Sequence, residues 1–314
     1  MLFRSPNYEK KYKIKTIRYF PTSEDVENAL KDIRERHATI KTVEDGARSG
    51  HFINGDFQEL DESGTPVNGQ KLEKQYIKLG EAAFSGDAEK PFLGVKADDT
   101  VTTCVEYDGD KSIHYQVDVH KVEEQILPEV DDVFAKMADE SVASVSELNA
   151  KLEVQIQTSL DKEHEKEIQK EIMDYFVKKS KVDAPSSMIE NFLSHVIEDV
   201  KKKNQKNEDV DEEKIRELYQ EQAENSVKWY LIKDNIIEVA NLDVSDEYMD
   251  EKINAFISDN ETQKDQIKKF YRQTSNREKL YEDLLSEKLF EHLKEYATNK
   301  VTKKSTDELK KGKK

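Results

Sequence analysis

Residues 46–69 read GARSGHFINGDFQELDESGTPVNG and hold five of the ten glycines of the chain. Nine glycines lie between Gly46 and Gly109, and the next is Gly312, in a lysine-rich tail. The last of the six prolines is Pro185. Because glycine and proline mark turns and interrupt helices, we predict a short front part of strands and turns followed by a long helical part.

The composition is lean in apolar residues and rich in charge. Of 314 residues, 35% are hydrophobic and 37% are charged, with a net charge of −17. The length is sufficient for two domains. The high charge predicts helices that are exposed to solvent on several sides, rather than one large core. The acidic balance argues against direct nucleic-acid binding, because phosphate contacts need a basic surface.

The compartment is predicted from cysteine usage and hydropathy. Cys104 is the only cysteine, which excludes an internal disulfide and favours a reducing compartment. No apolar run approaches the ~20 residues of a membrane span, and we find no secretory signal. We therefore predict a cytoplasmic protein without membrane contact. Residues 1–5, MLFRS, resemble a translated sequencing adapter, so we expect that an upstream segment is missing.

Alternation and turn signals predict the elements of the front part. A strand over residues 11–20 precedes a helix that begins at Thr22 or Ser23 and ends near Arg36. Further strands are predicted over residues 51–60, 74–79, 100–107 and 113–122, with a short helix near Glu89. The stretch from about residue 44 to 122 is thus predicted to be a small antiparallel sheet domain.

The rear part is predicted to be long antiparallel helices. Residues 145–180 form one helix whose apolar residues recur every four positions, so its two ends should contact different partners. Its middle, residues 161–167 (DKEHEKE), is predicted to be a solvated strut. Further helices are predicted after Pro185, over residues 212–240, from a Ser245 cap, around Phe270 and from Leu280. Residues 201–211 are predicted to be a polar hairpin tip.

Five short sequence segments, in this order and spacing, resemble those of one protein family. They are LPEVDDVFA (127–135), SVSEL (144–148), VDAPSSMIENF (182–192), VANLDVSDE (239–247) and SEKLFEHL (286–293). The chain resembles bacterial trigger factor, the ribosome-associated folding chaperone, over nearly its whole length. The resemblance implies an α+β fold, with a small antiparallel FKBP-like sheet domain followed by an elongated all-α domain with helical arms.

The resemblance also implies a domain plan. We expect a linker strand and helix over residues 1–43, a degenerate FKBP-type domain over 44–123, a helical chaperone domain over 124–300 and a disordered lysine-rich tail over 301–314. The family's N-terminal ribosome-binding domain has no counterpart here. The resemblance therefore implies a ribosome contact only if the native protein carries that domain.

FKBP-type domains are prolyl isomerases, and the resemblance implies a proline pocket lined by aromatic rings. Phe57, Phe84 and Tyr115 match aromatic positions of that pocket. Its floor does not match, because SGDAE (residues 85–89) replaces isoleucine-proline-glycine-phenylalanine-glutamate. Ser85 and Ala88 thus stand for the isoleucine and the floor aromatic, and Val67 stands for a further phenylalanine. With the flap shortened to about residues 108–111, we predict a vestigial pocket and weak or lost isomerase activity.

The implied function is an ATP-independent chaperone that holds unfolded or nascent polypeptides, without cofactor or metal. Three alternatives stay open: an active prolyl isomerase with a client-binding arm, a periplasmic chaperone of the SurA type, and a charged helical scaffold. His164 in the strut and the pair His114 and His120 are interpreted as structural rather than metal-binding.

Overall fold

The structure is a computed structural model that describes residues 8–107, 111–203 and 211–311. Contacts divide the chain into two units. The sheet unit comprises residues 21–156, and the helical unit comprises residues 1–20 and 157–314. Residues 21–43 and 124–156 therefore group with the sheet, which differs from the predicted domain boundaries.

The sheet unit holds five strands and two complete helices among its described residues. They are α1 Ser23–Arg36, β2 Thr39–Thr42, β3 Phe52–Leu60, β4 Pro66–Lys78, β5 Thr100–Tyr107, β6 Lys111–Ile126 and α2 Asp132–Ala138. The long strand β6 pairs antiparallel with β2, β3 and β5, and β4 pairs with the other side of β3. The predicted antiparallel sheet is confirmed.

Strands β2 and β4 differ from the sequence prediction. No strand was predicted over Thr39–Thr42, and β4 begins at Pro66 rather than near residue 74. Both strands lie at the ends of the β2-β6-β3-β4 order and are largely exposed. An edge strand exposed on both sides lacks the alternation of apolar residues on which the prediction depended. Lys74, with φ of 52°, interrupts β4 where the strand was predicted to begin.

Two apolar clusters form in the sheet unit. The first lies against the buried face of the sheet and includes Ile53, Phe57, Phe92, Val105 and Val117. The second joins α2 to the predicted long helix, α3 Val145–Lys179, and to one side of α1. The list of its buried members is Phe134, Ala135, Val142, Leu148 and Leu152.

The helical unit contains the other end of α3 and most of the remaining helices. They are α4 Ser186–Lys203, α5 Glu212–Val239, α6 Asp246–Asp259, α7 Lys264–Tyr271, α8 Thr274–Tyr296 and α9 Thr306–Lys311. The α6 helix begins as predicted, since the Ser245 side chain accepts a hydrogen bond from the Tyr248 N–H at 3.2 Å. Of the predicted hairpin tip, residues 204–210 lie outside the described residues.

Helix α3 contributes to two cores, as its four-residue repeat predicted. Leu148 and Leu152 belong to the α1–α2 cluster, whereas Ile172 and Phe176 belong to a cluster with α5 and α8. A third set of apolar residues joins α6, α7 and α8. The fold class is therefore α+β, an antiparallel sheet combined with a mostly helical region.

The predicted disordered tail is instead a strand where the structure describes it. Strand β7, Ala297–Ser305, pairs in parallel with β1, Tyr12–Phe20, and α9 follows it. Residues 312–314 lie outside the described residues. The error has a simple cause, because the partner strand lies at the opposite end of the sequence and local composition carries no sign of it.

The solvated strut was also predicted wrongly. The Arg18 guanidinium donates to both oxygens of Asp161 at 2.8 and 2.9 Å. The Ile17 N–H donates to Glu167 at 3.2 Å, and His164 Nε2 lies 2.8 Å from Thr16 Oγ1. This polar seam holds the middle of α3 against β1, so its charged residues serve packing rather than solvent exposure alone.

Candidate functional site

The three predicted pocket residues come together in the sheet unit. Phe57 points inward from β3 and Tyr115 from β6, while Phe84 ends a 3-10 turn, Ala82–Phe84. The Phe57 ring centroid lies 5.5 Å from that of Phe84 and 6.1 Å from that of Tyr115, both edge to face. The turn is held by the Gly80 N–H, which donates to the Phe84 carbonyl at 2.9 Å. At Gly80 φ is +83°, and a Cβ would meet Ser49 Oγ at 2.7 Å.

The cluster is closed rather than cup-shaped. Phe57 is 3% exposed, and Phe92, which is fully buried, packs on Phe84 with centroids 6.1 Å apart. Burial, with Tyr107 nearby, raises the pKa of Tyr115. The aromatic rings thus pack against one another, as in a hydrophobic core. Phe92 was missed from the sequence, although a Lys-Pro-Phe turn after the degenerate floor is a signal that could have pointed to it.

A cavity of about 570 Å³ lies beside this cluster, and the degenerate floor lines it. Its walls combine small and polar side chains: Ala82, Ala83, Ser85, Asp87, Ala88, Pro91, Thr102, Thr103, Cys104, Glu106 and His114. Ala88 is buried and its carbonyl accepts from Thr103 Oγ1 at 2.8 Å, while Ser85 Oγ donates to the Ala82 carbonyl at 2.8 Å. Neither Phe57 nor Tyr115 lines this cavity, so an entering proline would meet polar groups rather than aromatic rings.

The helical unit exposes large apolar side chains. Leu218 on α5 is 74% exposed. The other members are Tyr230, Val239, Phe256 and Phe270, each close to half exposed or more. We call these five residues the open apolar set. A contiguous exposed apolar patch marks a binding site, whereas single exposed apolar residues are common on folded proteins.

A groove between α3 and α5 contains one member of this set. Its volume is about 470 Å³, and Met173, Val177 and Leu218 form its apolar part. Its polar rim comprises Lys170, Asp174, Glu221, Gln222, Asn225 and Ser226. An apolar floor with a charged rim suits a short apolar segment whose backbone stays wet.

The structure separates core from surface, which the sequence could not do. On α4, Leu193 and Ile197 are buried and pack toward α5. On α5, Ala223, Val227, Ile232 and Ile236 are buried, whereas Leu218 is exposed. The apolar stripes of the helices are therefore only partly covered.

Among the described residues, no group of three or more His, Cys, Asp or Glu side chains is arranged to hold a metal ion. His120 Nε2 lies 2.9 Å from Asp56 Oδ1, and His114 faces Cys104 across strands β5 and β6. Nor does any helix in the described part have the length and apolar character needed to span a bilayer.

Comparison with known proteins points to one family. The family model for the C-terminus of bacterial trigger factor matches residues 144–295. A trigger factor from Chlorobaculum parvum is 27% identical over 96% of this chain and 72% of its own length. Trigger factors from Bacillus cytotoxicus and Bacillus cereus are 30% and 28% identical over 74% and 72% of this chain, which spans only 58% and 57% of theirs.

A solved structure of the trigger factor chaperone is 21% identical, over 86% of this chain and 67% of that chain, with a TM-score of 0.43. That score is too low to carry an argument about the fold. The sequence relatives and the family model both point to trigger factor, as do the five short segments found along the chain. The chain is thus similar to trigger factors over 96% of its length, and residues 144–295 match the family's C-terminal part.

Proposed function

We propose that the protein is an ATP-independent chaperone that holds unfolded or nascent polypeptides on the open apolar set of its helical unit. The observation that carries this proposal is the exposure of four large apolar side chains: Leu218 and Tyr230 on α5, Phe256 on α6 and Phe270 on α7. Unfolded chains expose apolar segments that would cover such side chains. The sequence contains no phosphate-binding loop, which supports binding without ATP.

The binding is expected to be weak and reversible. Burying one Leu- or Phe-sized side chain contributes about 1.5–3 kcal/mol, and ordering each flexible side chain costs about 0.5–1.5 kcal/mol. Several partial contacts therefore leave a modest net affinity, from which a client can leave unaided. The net charge of −17 favours basic clients and keeps two copies apart.

Reduction-induced aggregation of insulin, followed by light scattering, tests the proposal. We expect the full chain to suppress scattering equally with and without ATP. The variant Leu218→Ser/Tyr230→Ser/Phe256→Ser/Phe270→Ser should lose at least half of the suppression. The matched control, Leu72→Ser/Leu93→Ser, changes two leucines of the sheet unit that are about half exposed and should behave like the parent.

Circular dichroism must show that the quadruple variant keeps its helices. Suppression that is unchanged in that variant would contradict the assignment of the surface. No suppression by the parent chain would favour the alternative of a charged helical scaffold without client binding.

We also propose that prolyl isomerase activity is weak or lost. The closed packing of Phe57 against Phe84 and the polar cavity at Ser85 and Ala88 support this proposal. In a proline-peptide isomerisation assay, we expect turnover close to the uncatalysed rate, and Phe57→Ala should not change it. Robust turnover that Phe57→Ala abolishes would instead establish an active isomerase.

The cellular compartment and a contact with the ribosome are also proposals. The single cysteine supports a cytoplasmic protein rather than a periplasmic one of the SurA type. Ribosome contact is proposed only for a protein that carries the family's ribosome-binding domain, to which no residue of this chain is assigned.

A further inference from the structure

The two-stranded sheet β1–β7 differs in charge from the rest of the chain. Its 18 residues, YKIKTIRYF and ATNKVTKKS, contain no Asp or Glu. Its basic residues are Lys13, Lys15, Arg18, Lys300, Lys303 and Lys304. The whole chain has a net charge of −17, whereas this two-stranded sheet is positively charged. We call it the basic ribbon, and its charge is complementary to that of an acidic ligand.

One face of the basic ribbon is buried and the other is open. Tyr12, Ile14 and Thr16 are buried, so the alternating residues Lys13 and Lys15 lie on the opposite face. Their register partners on β7 are Thr298 and Lys300. The open face thus presents lysines and threonines.

Three lysines of the open face form no ion pair with any carboxylate that the structure describes. Lys13, Lys15 and Lys300 are exposed, and no carboxylate in the described part of the chain forms an ion pair with them. Lys304 differs, because it pairs with Glu308 at 3.3 Å. Three cations are therefore available to an external anionic ligand.

The ribbon also has one open backbone edge. The Ile17 N–H donates to the Glu167 carboxylate, so this edge of β1 is covered by α3. In a parallel pair, the backbone groups of two opposed residues point the same way. Because the Ile17 N–H points away from β7, the opposed Thr302 bonds toward β1, and its neighbour Val301 faces the outer edge of β7. Within the described residues, β7 pairs with no strand other than β1.

We propose that the basic ribbon binds an extended acidic polypeptide segment, which adds as a third strand along the outer edge of β7. Alternate residues of an extended strand repeat at about 6.4–6.8 Å. Carboxylates at every second position of such a segment would follow the repeat of the open face of β7, where Lys300 lies beside the added strand, and Lys15 of β1 lies one strand farther, roughly 10 Å away. Backbone hydrogen bonds would provide affinity, and the charge pairs would select acidic sequences.

The same features disfavour other occupants. Lysines along an edge oppose pairing with apolar or basic strands, because their charges would be desolvated or repelled. Single-stranded nucleic acid gains affinity by stacking bases on open aromatic rings. Here the Phe20 ring already has the Arg18 guanidinium at 5.2 Å and the Lys303 ammonium at 5.8 Å from its centroid.

Fluorescence anisotropy with the full chain and a labelled ten-residue Glu-Thr repeat peptide tests this proposal. Gln-Thr and Lys-Thr repeats of the same length and an oligouridine are the comparison probes. We expect only the Glu-Thr peptide to bind, and we expect Lys15→Glu/Lys300→Glu to weaken it at least tenfold. The matched control is Lys268→Glu/Lys269→Glu, which makes the same charge change at exposed positions of α7. At 0.15 M salt it should stay within twofold of the parent, because charges are screened over ~8 Å.

Strand addition itself is tested by Val301→Pro, which removes a donor from the outer edge and should weaken binding at least fivefold. Three results would overturn the proposal. They are equal weakening of peptide binding by the two charge-reversal variants, tighter binding of oligouridine than of the Glu-Thr peptide, and undiminished peptide binding by Val301→Pro. Lys15→Gln/Lys300→Gln repeats the test if charge reversal disturbs folding. The insulin assay should be unaffected by these variants, so the two proposals can fail separately.

Discussion

The aromatic cluster of the sheet unit and the exposed apolar side chains of the helical unit differ in burial. In the sheet unit, Phe57, Phe84 and Phe92 close on one another and leave a polar cavity beside them. In the helical unit, Leu218 on α5 and Phe270 on α7 stay exposed. The aromatic residues that resembled a binding pocket form part of a core, whereas the exposed apolar side chains of the helical unit lie where the sequence showed only helical periodicity.

The difference arises from geometry. A twisted sheet directs its inward side chains toward one centre, where neighbouring rings and small side chains fill the space. A long helix presents a stripe that turns around its axis, and one partner helix covers only part of it. Aromatic content alone therefore does not distinguish a pocket from a core.

The largest effect is expected from Phe92→Ala. Because Phe92 is fully buried against Phe84, its loss should lower the free energy of unfolding of the sheet unit by about 3–5 kcal/mol. Hydrogen exchange of the β3 and β6 amides measures this change. Leu93→Ala, next in sequence and exposed, should leave the exchange nearly unchanged. Equal effects of the two variants would show that the cluster is not the core described here.

A matched pair of leucines on the α4–α5 hairpin comes next. Leu193→Ala should cost about 2–5 kcal/mol, because the side chain is 2% exposed. Leu218→Ala should stay within about 0.5 kcal/mol. Urea unfolding followed by Trp229 fluorescence, from the only tryptophan, reports both. A large loss for Leu218→Ala would mean that this side chain belongs to the core, and it would remove the basis of the open apolar set.

The polar seam of α3 should contribute less. Thr16 is buried, and its hydroxyl contacts His164 at 2.8 Å and accepts from Asn299 Nδ2 at 2.9 Å. Thr16→Val keeps the shape but leaves these partners unsatisfied, which should cost about 1–3 kcal/mol. The urea midpoint measures the loss, with the exposed Thr298→Val as control. If both variants were neutral, the seam would be no more than a solvated contact.

The smallest effect is expected at Asp139. The Lys151 ammonium and then the Ser141 hydroxyl and N–H lower the pKa of Asp139 from 3.8 to about 2. A depressed pKa in the folded state stabilises the protein above the ordinary value, and this contribution is lost as pH falls from about 4 toward 2.

Asp139→Asn should therefore lower the Tm slightly at pH 7, and the difference from the parent should shrink by pH 3. Glu153→Gln, exposed on α3, should show no such convergence. A difference that grew as the pH fell would contradict the assigned ion pair.

Local signals were sufficient for much of the secondary structure. The predicted α3 over residues 145–180 is observed as Val145–Lys179, and the Ser245 cap and β5 over residues 100–107 are also observed. The meeting of Phe57, Phe84 and Tyr115 was predicted from the family resemblance. Their closed packing was not, since it depends on Phe92, whose contact with Phe84 the sequence analysis missed.

Glycine spacing, helical periodicity and caps by themselves determined the order of sheet and helices, because these signals act between residues close in the chain. The tertiary structure alone decided which apolar residues are covered, that the strut at Asp161 binds β1, and that the lysine-rich end is a strand. The last two outcomes depend on partners more than a hundred positions away, and the free energy of such contacts is set by the fold as a whole.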